Sequence, residues 1–365
     1  MITNRVVKSA ALLVTTATLL AACGSNNNSS SPSTSSSGAA ISCASGSIKA
    51  SGSTAQKNAI TDWINTYQGA CAGATINYSA TGSAAGITDF TNNQVAFAGS
   101  DSALKATQTA AADARCQTGK AIDIPMVAGA IALAYNLPGV STLILNPSTT
   151  AKIFANQITK WNDPAIAALN PGVTLPSATI AQYHRSDGSG TTDNFTKWLT
   201  AAAGSAWTFG SGKTWLAPGG QGAKGSDGVA SSVSSTPNSI GYMELSFAKN
   251  ANLAIAEVDN GGGAVALTSD SAGKGLAVAT VTGTGNDLSL KFDYKTTAAG
   301  VYPLVLVTYE ITCEKGLPAD QLALVKSFLT YTSSTGAQAK LSATGYIPLP
   351  SELLTKVQSS VAALS

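Results

Sequence analysis

Histidine and charge are scarce in this 365-residue sequence, which has one histidine, His184, and 11% charged residues. A serine hydrolase needs a general base beside its nucleophile, and no Gly-x-Ser-x-Gly motif accompanies this histidine. His184 also directly precedes Arg185 on a predicted strand, so the two side chains should point to opposite faces. No second histidine or cysteine cluster has the spacing of a metal site. We therefore expect no enzyme, no cofactor and no metal, and keep a secreted hydrolase or phosphatase only as an alternative.

An excess of basic residues is also lacking. The chain has 21 Lys and Arg against 19 Asp and Glu, and two of the basic residues, Arg5 and Lys8, belong to a predicted leader. Without that leader the two signs balance. A neutral surface has no electrostatic footprint for nucleic acid, so we expect no nucleic-acid partner.

The N-terminal apolar run, Ala10–Ala22, is too short to span a bilayer. It follows a charged start and ends in Leu-Ala-Ala-Cys at Cys23, which predicts a signal peptide over residues 1–22. The tetrapeptide resembles a bacterial lipobox, in which the signal is cut before the cysteine and the thiol receives lipid such as palmitate. Residues 23–44 then read as the lipidated cysteine and a flexible tether rich in Ser and Asn. We expect an extracytoplasmic lipoprotein on the outer face of the cell membrane.

Four further cysteines remain, an even number in an exported protein, which favours two disulfides. Four cysteines allow three pairings. Cys43 precedes the first predicted strand, and Cys71 follows the first predicted helix, whose end returns to where that strand began. We therefore choose Cys43–Cys71 with Cys116–Cys313.

Strands alternate with helices along the remaining chain, which predicts an α/β fold with a parallel or mixed sheet. Two long apolar strands are predicted at Ala130–Leu137 and Leu304–Thr312. They suggest that the chain crosses between two lobes and that the second lobe is inserted into the first. We predict the first lobe from residues 45–134 and 305–365, and the second lobe from residues 135–304.

Smaller features complete the secondary-structure prediction. The run TTAKIFANQI reads as a helix capped by Thr149 and Thr150, and residues 268–302 read as irregular strands and loops of the second lobe. The segment FGSGKTW, Phe209–Trp215, looks like the end of a nucleotide-binding P-loop. However, Trp207 stands where that motif requires glycine, so we interpret the segment as an ordinary loop.

Three strand-to-helix turns share one chemistry: SGSTA from Ser51, TGSAAG from Thr81 and SDGSGTT from Ser186. Each places Gly, Ser or Thr where a helix begins, so free N–H groups and hydroxyls lie at the positive end of the helix dipole. Any one of them is compatible with an ordinary helix cap. Three such turns in one chain, with Arg185 beside the third, favour an anion site.

The segment HRSDGSGTTDNF, His184–Phe195, closely resembles the anion-binding loop of the phosphate-binding proteins of the phosphate-specific ABC transporter. The similarity runs from about Ser47 to the C terminus, and the motifs GST, GSAAG, GSDSAL and RSDGSGTT occur in the same order. The segments YNLPGV and KWNDPAIAALNPGVTLP look like mycobacterial and related members, which are similar lipoproteins. The resemblance implies a two-lobed periplasmic-binding-protein fold of type II, with mixed sheets, helices on both faces and a ligand cleft between the lobes.

The resemblance also implies a set of ligand residues. A monomeric receptor would close its lobes around inorganic phosphate and then dock on a membrane permease. Asp187 would hold the guanidinium of Arg185 in place. The phosphate-binding residues would be Thr54, Ala55, Ser83, Asp101, Arg185, Ser189, Gly190 and Thr191.

Asp101 makes phosphate the expected ligand among oxyanions, with another oxyanion as the alternative. Phosphate at neutral pH still carries hydrogen, so a carboxylate at this position can accept a hydrogen bond from it. Sulfate carries no hydrogen and would meet charge repulsion. A buried acceptor left without its donor then rejects sulfate.

Overall fold

The computed structural model describes residues 41–365, which belong to one compact unit, Ala39–Ser365. The predicted signal peptide, Cys23 and the tether up to residue 40 lie outside the described residues. The end of the predicted tether contacts the folded part. Cys43 forms a disulfide with Cys71, and the Ala44 N–H donates to the Tyr67 hydroxyl at 3.1 Å.

Most strands join one mixed sheet in the order β2-β1-β3-β14-β4-β8-β6-β7, in which β9 also pairs with β4. Two smaller sheets contain β11-β10-β5 and β12-β13. The strands are β1 (Gly46–Gly52), β2 (Ala74–Ser79), β3 (Phe97–Ser100), β4 (Ala121–Asn136), β5 (Ile144–Leu145), β6 (Ala181–Arg185), β7 (Gln221–Ala223), β8 (Ser239–Glu244), β9 (Ala254–Ile255), β10 (Glu257–Asp259), β11 (Ala264–Val265), β12 (Thr280–Val281), β13 (Leu290–Lys291) and β14 (Val305–Cys313).

The main sheet combines parallel and antiparallel pairs. β1 runs parallel to β2 and β3, and β6 runs parallel to β7 and β8. In contrast, β14 is antiparallel to β3 and β4, and β4 is antiparallel to β8. Helices connect the parallel strands, as short loops cannot. The α/β class with a mixed sheet is confirmed.

The two long strands lie side by side at the middle of this sheet. β4 pairs with β14 from Ala121, opposite Cys313, to Ala130, opposite Val305. From Ile131 onward β4 pairs with β8 instead. β4 is buried along almost its whole length, which explains its continuous apolar sequence. β4 therefore belongs to both halves of the sheet, and the division into lobes at residues 134 and 304 stays a prediction.

The α-helices lie between and after these strands. They are α1 (Lys57–Ala70), α2 (Ser83–Thr91), α3 (Ala106–Arg115), α4 (Pro147–Phe154), α5 (Pro164–Ala167), α6 (Gly190–Ala202), α7 (Gly225–Ser235), α8 (Leu245–Asn250), α9 (Ser269–Ala277), α10 (Ala319–Thr332), α11 (Thr335–Ala339) and α12 (Ser351–Ala362). Single 3-10 turns occur at Gly204–Ala206 and Lys340–Thr344.

Two local predictions were wrong. The cap of α4 is Asn146, whose side-chain oxygen accepts from the Thr149 N–H at 2.8 Å, with Pro147 as the first helical residue. This arrangement competes well with a threonine cap because proline needs no hydrogen-bond acceptor there. The segment 268–302 was expected to lack helix, yet it begins with α9, whose cap Thr268 accepts from the Ser271 N–H at 3.0 Å.

Both disulfides join the pairs that we chose. Cys43–Cys71 connects the chain before β1 to the end of α1, and Cys116–Cys313 connects the end of α3 to the end of β14. The second bridge closes a sequence separation of 197 residues. Both of its cysteines are fully buried and belong to the main hydrophobic core.

Candidate anion-binding site

The loop after β1 and the first residues of α2, α6 and α7 meet in one buried cluster, joined by hydrogen bonds. The first N–H groups of a helix have no partner inside the helix and lie at the positive end of its dipole. The structure thus brings together all eight residues that the sequence nominated, and all are buried: Thr54, Ala55, Ser83, Asp101, Arg185, Ser189, Gly190 and Thr191.

Ser83 links the start of α2 to the start of α6 and to Asp101, which follows β3. Its hydroxyl oxygen accepts from the N–H of Asp101 at 3.2 Å and from the N–H of Gly190 at 3.1 Å. A hydroxyl has two acceptor sites and one proton, so these bonds leave only the proton. None of the described residues accepts that proton. Residue 190 must be glycine for this approach, because a Cβ there would lie 2.6 Å from both the Ser83 Oγ and the Asp101 Cβ.

Ser189 caps α6, and its hydroxyl proton likewise has no acceptor among the described residues. Its hydroxyl oxygen accepts from the Thr192 N–H at 3.1 Å, and its own N–H donates to the carbonyl of Lys213 at 2.9 Å. We had expected both the N–H and the hydroxyl of Ser189 to face an anion. The N–H is engaged elsewhere, so the hydroxyl is the donor that Ser189 retains.

Asp101 accepts hydrogen bonds from three hydroxyls. Its Oδ1 accepts from Ser53 and, at 2.8 Å, from Thr308, while its Oδ2 accepts from Thr191 at 3.2 Å. Burial raises the pKa of Asp101, and these hydrogen bonds together with the charge of Arg185 only partly offset that effect. A carboxylate has about four acceptor sites, so three hydroxyls leave room for one more donor.

Arg185 and Asp187 form a bidentate pair below the protein surface. Nε donates to Oδ1 at 2.7 Å and Nη2 donates to Oδ2 at 2.5 Å, while the Gly225 N–H also donates to Oδ1. Burial opposes ionisation of Asp187, but Arg185 outweighs it and lowers the pKa of this carboxyl. Arg185 is 2% exposed, so the pair is not a surface ion pair. Its remaining nitrogen, Nη1, lies 3.5 Å from the hydroxyl of Ser226.

Sequence reasoning missed three hydroxyl residues of the cluster. Ser53 and Thr308 donate to Asp101, and Ser226 contacts both Arg185 and Thr54. Ser226 lies in KGSDGVA at the start of α7, a fourth glycine-serine helix start with the same signal as the other three. Thr308 lies inside the apolar strand β14, where nothing in the local sequence singles it out.

Two further carboxyls, Glu244 and Glu310, are fully buried near the cluster. Burial raises the pKa of each of them to about 8. Oε2 of Glu244 accepts from the Ser246 N–H at 2.9 Å. The other oxygen, Oε1, has no partner among residues 41–365. With a pKa of about 8, both carboxyls are mostly protonated at neutral pH and add little negative charge beside Asp101.

His184 lies outside the cluster, as its strand position predicted. Its ring stacks on Trp215, with 4.9 Å between the ring centroids and 11° between the planes. Burial lowers its pKa. In the part of the chain that the structure describes, no hydrogen bond joins this ring to a serine or threonine hydroxyl, so the geometry of a serine hydrolase is not formed.

Within residues 41–365, no group of three or more His, Cys, Asp or Glu side chains is placed to hold a metal ion. In the same range, no helix combines the length and the apolar character needed to cross a bilayer.

Comparisons with known proteins give consistent results. Residues 37–335 match the PBP superfamily domain. The phosphate-binding protein PstS 3 of Mycobacterium tuberculosis is 46% identical over 323 residues, which cover 87% of each chain. A high-affinity periplasmic phosphate-binding protein, PfluDING, solved with phosphate at pH 8.5, has a TM-score of 0.71 at 24% identity, covering 86% of this chain and 93% of that one. A human phosphate-binding apolipoprotein has a TM-score of 0.68 at 25% identity, with the same coverage. The periplasmic-binding-protein fold expected from the sequence is thereby confirmed.

Proposed function

This chain belongs to the PstS family of phosphate-binding proteins within the PBP superfamily, and we propose that it is an extracytoplasmic receptor for inorganic phosphate. It would deliver the ion to the membrane permease of an ABC importer. The observation that carries the proposal is the pair of buried hydroxyl protons on Ser83 and Ser189. Among the described residues neither proton has an acceptor, and both lie at helix N-termini. A buried donor without an acceptor is costly, so an oxyanion is the ligand that this cluster favours.

We assign the phosphate oxygens to Arg185 and to donors of the loop after β1 and of the starts of α2, α6 and α7. Thr54 would serve from the first loop, Ser83 from α2, and the hydroxyls of Ser189 and Thr191 from α6. The N–H groups of Ala55 and Gly190 now donate to the hydroxyls of Ser53 and Ser83, and each would exchange that bond for one to the ion. Thr191 now donates to Asp101, and its hydroxyl would turn to the ion. The full ligand set that we propose is Thr54, Ala55, Ser83, Asp101, Arg185, Ser189, Gly190 and Thr191. To this set Ser226 is added, because its hydroxyl lies within reach of both Thr54 and Arg185.

Asp101 would select phosphate over sulfate. Ser53 and Thr308 keep donating to this carboxylate when Thr191 turns to the ion, which leaves acceptor sites that a protonated phosphate oxygen can fill. Sulfate has no proton to offer. It would place a full negative charge against Asp101 in a buried site, which costs several kcal/mol.

Arg185 would contribute charge that is largely offset by Asp187. Their bidentate pair fixes the guanidinium and leaves Nη1 free of Asp187. Most of the stabilisation of the ion would then come from hydrogen bonds rather than from net charge. Neutral donors at helix starts suit this role, since they replace water around the ion without adding a formal charge.

We also propose that the two predicted lobes close around the ion. Contacts between them support this: Lys57 pairs with Asp227 at 3.0 Å, and Asn58 donates to Ser246 at 2.8 Å. The hinge would lie at the two chain crossings, where β4 passes from its pairing with β14 to its pairing with β8 and where the chain enters β14. Closure would remove the remaining water from the site and add the second lobe's donors only when phosphate is present.

The proposed location of the protein at the cell membrane rests on its resemblance to the lipoproteins of this family. Lipid on Cys23 would anchor the protein to the outer face of the cell membrane, and the tether would let it reach the permease as a monomer. The lipid would matter for location and not for binding, so the protein without residues 1–23 should bind phosphate unchanged. That shorter protein keeps the compact unit Ala39–Ser365 whole.

A calorimetric titration of this shorter protein with phosphate, and then with sulfate, tests the proposal. The protein is first unfolded and dialysed to remove any bound ion. We expect one phosphate per chain and no heat with sulfate. In Asp101→Asn we expect the preference for phosphate over sulfate to fall by about a hundredfold or more. The control is Asp270→Asn, which removes an exposed carboxylate whose salt-bridge partner within residues 41–365 is Lys274.

Three outcomes would contradict parts of this proposal. Absence of phosphate binding in the unmodified protein would refute the receptor function. Equal binding of phosphate and sulfate would refute the role of Asp101 and favour a general oxyanion receptor. Release of phosphate from a phosphomonoester such as p-nitrophenyl phosphate would favour the hydrolase alternative.

A further inference from the structure

A cavity of about 520 Å³ lies next to Asp101, on the side where residues Ser102 to Lys105 leave β3. Asp101 is 2% exposed and lines its buried end. The opposite rim consists of α6 and the segment around β13. Of the proposed phosphate-binding residues, Asp101 is the one that lines this cavity, so the cavity adjoins the proposed site at this residue.

Three lysines line the cavity: Lys105, Lys197 and Lys291. Lys105 and Lys291 are exposed, and Lys197 is 41% exposed while it pairs with Asp193 at 2.7 Å. They come from three separate segments of the chain, namely the loop before α3, helix α6 and strand β13. We call this space, with these three lysines at its rim, the lysine vestibule.

A fourth lysine, Lys213, lies deeper. It is 9% exposed, and its Nζ has no hydrogen-bond partner among residues 41–365. Burial lowers its pKa, while Asp193 and Asp101 act in the opposite direction and Lys105 and Lys197 act with burial. Lys213 therefore lies close to both the rim lysines and the inner carboxylates. It belongs to the segment FGSGKTW, which the sequence alone gave no reason to connect with the site.

Two further carboxylates, Asp193 and Asp123, lie near these lysines, and both are buried. Asp193 faces Lys197 and also accepts from Ser102 at 2.6 Å. Asp123 lies beneath the loop, where it accepts from the Leu104 N–H, and burial together with Asp287 raises its pKa to about 7. Among the residues that line the cavity, the one carboxylate, Asp101, is buried, so the charges that the cavity exposes to solvent are those of the three lysines.

We propose that the lysine vestibule is the route by which phosphate reaches Asp101, and that Lys105, Lys197 and Lys291 raise the rate of its association. This inference rests on the proposed phosphate-receptor function. Because the whole chain has nearly equal numbers of basic and acidic residues, it has no long-range attraction for an anion. A local cluster of positive charge beside a low-dielectric wall raises the nearby anion concentration and the association rate by tenfold or more.

The rim lysines act before the ion is bound and dehydrated, so they should affect association and not dissociation. Their attraction should also be screened by salt, because exposed charges interact weakly beyond a Debye length of about 10 Å at 0.1 M salt. Both properties distinguish them from the donors of the proposed site.

The test uses the triple variant Lys105→Gln, Lys197→Gln, Lys291→Gln in the protein without residues 1–23. Its control is Lys49→Gln, Lys160→Gln, Lys340→Gln, which removes the same charge from exposed positions outside the cavity. Equilibrium dialysis with radiolabelled inorganic phosphate gives Kd. A filter-binding chase with unlabelled phosphate gives the dissociation rate, and the ratio of the two gives the association rate.

At about 20 mM salt we expect the vestibule variant to raise Kd about tenfold with an unchanged dissociation rate. The difference should vanish near 0.5 M salt. The control triple variant should match the unmodified protein. The inference is overturned if the vestibule variant keeps its association rate, if Kd changes through dissociation, or if the control behaves identically. Failure of the unmodified protein to bind phosphate would instead refute the receptor function on which the inference rests.

Discussion

The substitution Gly190→Ala separates the stability of the protein from its binding of phosphate. Gly190 is the first residue of α6, and a Cβ at this position would lie 2.6 Å from the Ser83 Oγ and from the Asp101 Cβ. Real Cβ atoms do not approach so closely, so α6 would have to move away from β3 and α2. In the proposed open state, the two predicted lobes separate here and the extra methyl group meets no obstacle.

Two opposing effects set the size of the change in phosphate affinity that we expect in Gly190→Ala. Alanine is favoured over glycine in a helix by up to about 1 kcal/mol, and less at the first residue. Overpacking a well-packed contact costs about 1 to 3 kcal/mol. If closure is the step that is blocked, the whole cost falls on binding. Phosphate affinity should then decrease by about 5-fold to 150-fold, since 1.4 kcal/mol corresponds to a factor of ten.

Calorimetry measures the affinity, and thermal unfolding with and without phosphate measures the stability. When phosphate is absent, we expect Gly190→Ala to unfold at the same temperature as the unmodified protein or slightly above it, because alanine is favoured in a helix. The variant should gain much less stability from phosphate. Gly69→Ala in α1 is the matched control, because its Cβ would meet nothing within 4 Å. An unchanged affinity in Gly190→Ala would refute the tight contact of α6 with Ser83 in the bound state. A large loss of stability without phosphate would refute the open state.

Two further variants test other parts of the cluster. Ser226→Ala removes a buried hydroxyl near Thr54 and Arg185, so calorimetry should show a weakening of phosphate binding by about 5-fold to 30-fold. The exposed Ser231→Ala on the same helix should show none, and equal affinity in both variants would exclude α7 from the site. Glu244→Gln tests whether the buried carboxyl of Glu244 holds a proton. Because the folded pKa is about 8 and the usual value is 4.5, the unmodified protein should lose up to a few kcal/mol of stability as pH rises between these values. Urea unfolding at pH 5 and pH 8 should show a larger loss in the unmodified protein than in the variant, in which the buried Glu310 and Asp123 still contribute their own loss. An equal pH dependence in both would refute the raised pKa of Glu244.

Local signals in the sequence predicted much of the fold. The alternation of strands and helices gave the α/β class, and the two continuous apolar runs gave β4 and β14. The alternation of strands and helices could not predict the order of the strands in the sheet. β14 lies between β3 and β4, although it begins about 170 residues after the end of β4 in the chain. The cap of α4 was misassigned because Asn146 and Thr149 carry similar cap signals, and only the backbone path decides between them.

The candidate site was predictable where glycine, serine and threonine mark a helix start. That signal found three of the four helix starts and would have found Ser226 as well. It could not find Thr308, which lies in an apolar strand and reaches Asp101 only because β14 lies beside β3. Nor could it find Lys213, whose segment resembles an incomplete nucleotide-binding motif. Residues that enter a site through strand pairing or loop packing leave no mark in their neighbouring sequence.

The charges around Asp101 divide into two groups with different consequences. Inside the cluster, the positive charge of Arg185 is matched by Asp187, and the buried Glu244 and Glu310 are mostly protonated at neutral pH. The choice between phosphate and sulfate would depend on whether the anion can donate a proton to a hydrogen bond with Asp101. Salt would have little effect on this choice because the groups are buried. Outside the cluster, the rim lysines are exposed and salt-sensitive. A receptor built in this way can collect its anion quickly through exposed charge and still reject sulfate through one buried acceptor. Association would then vary with ionic strength, while dissociation and the choice between anions would not.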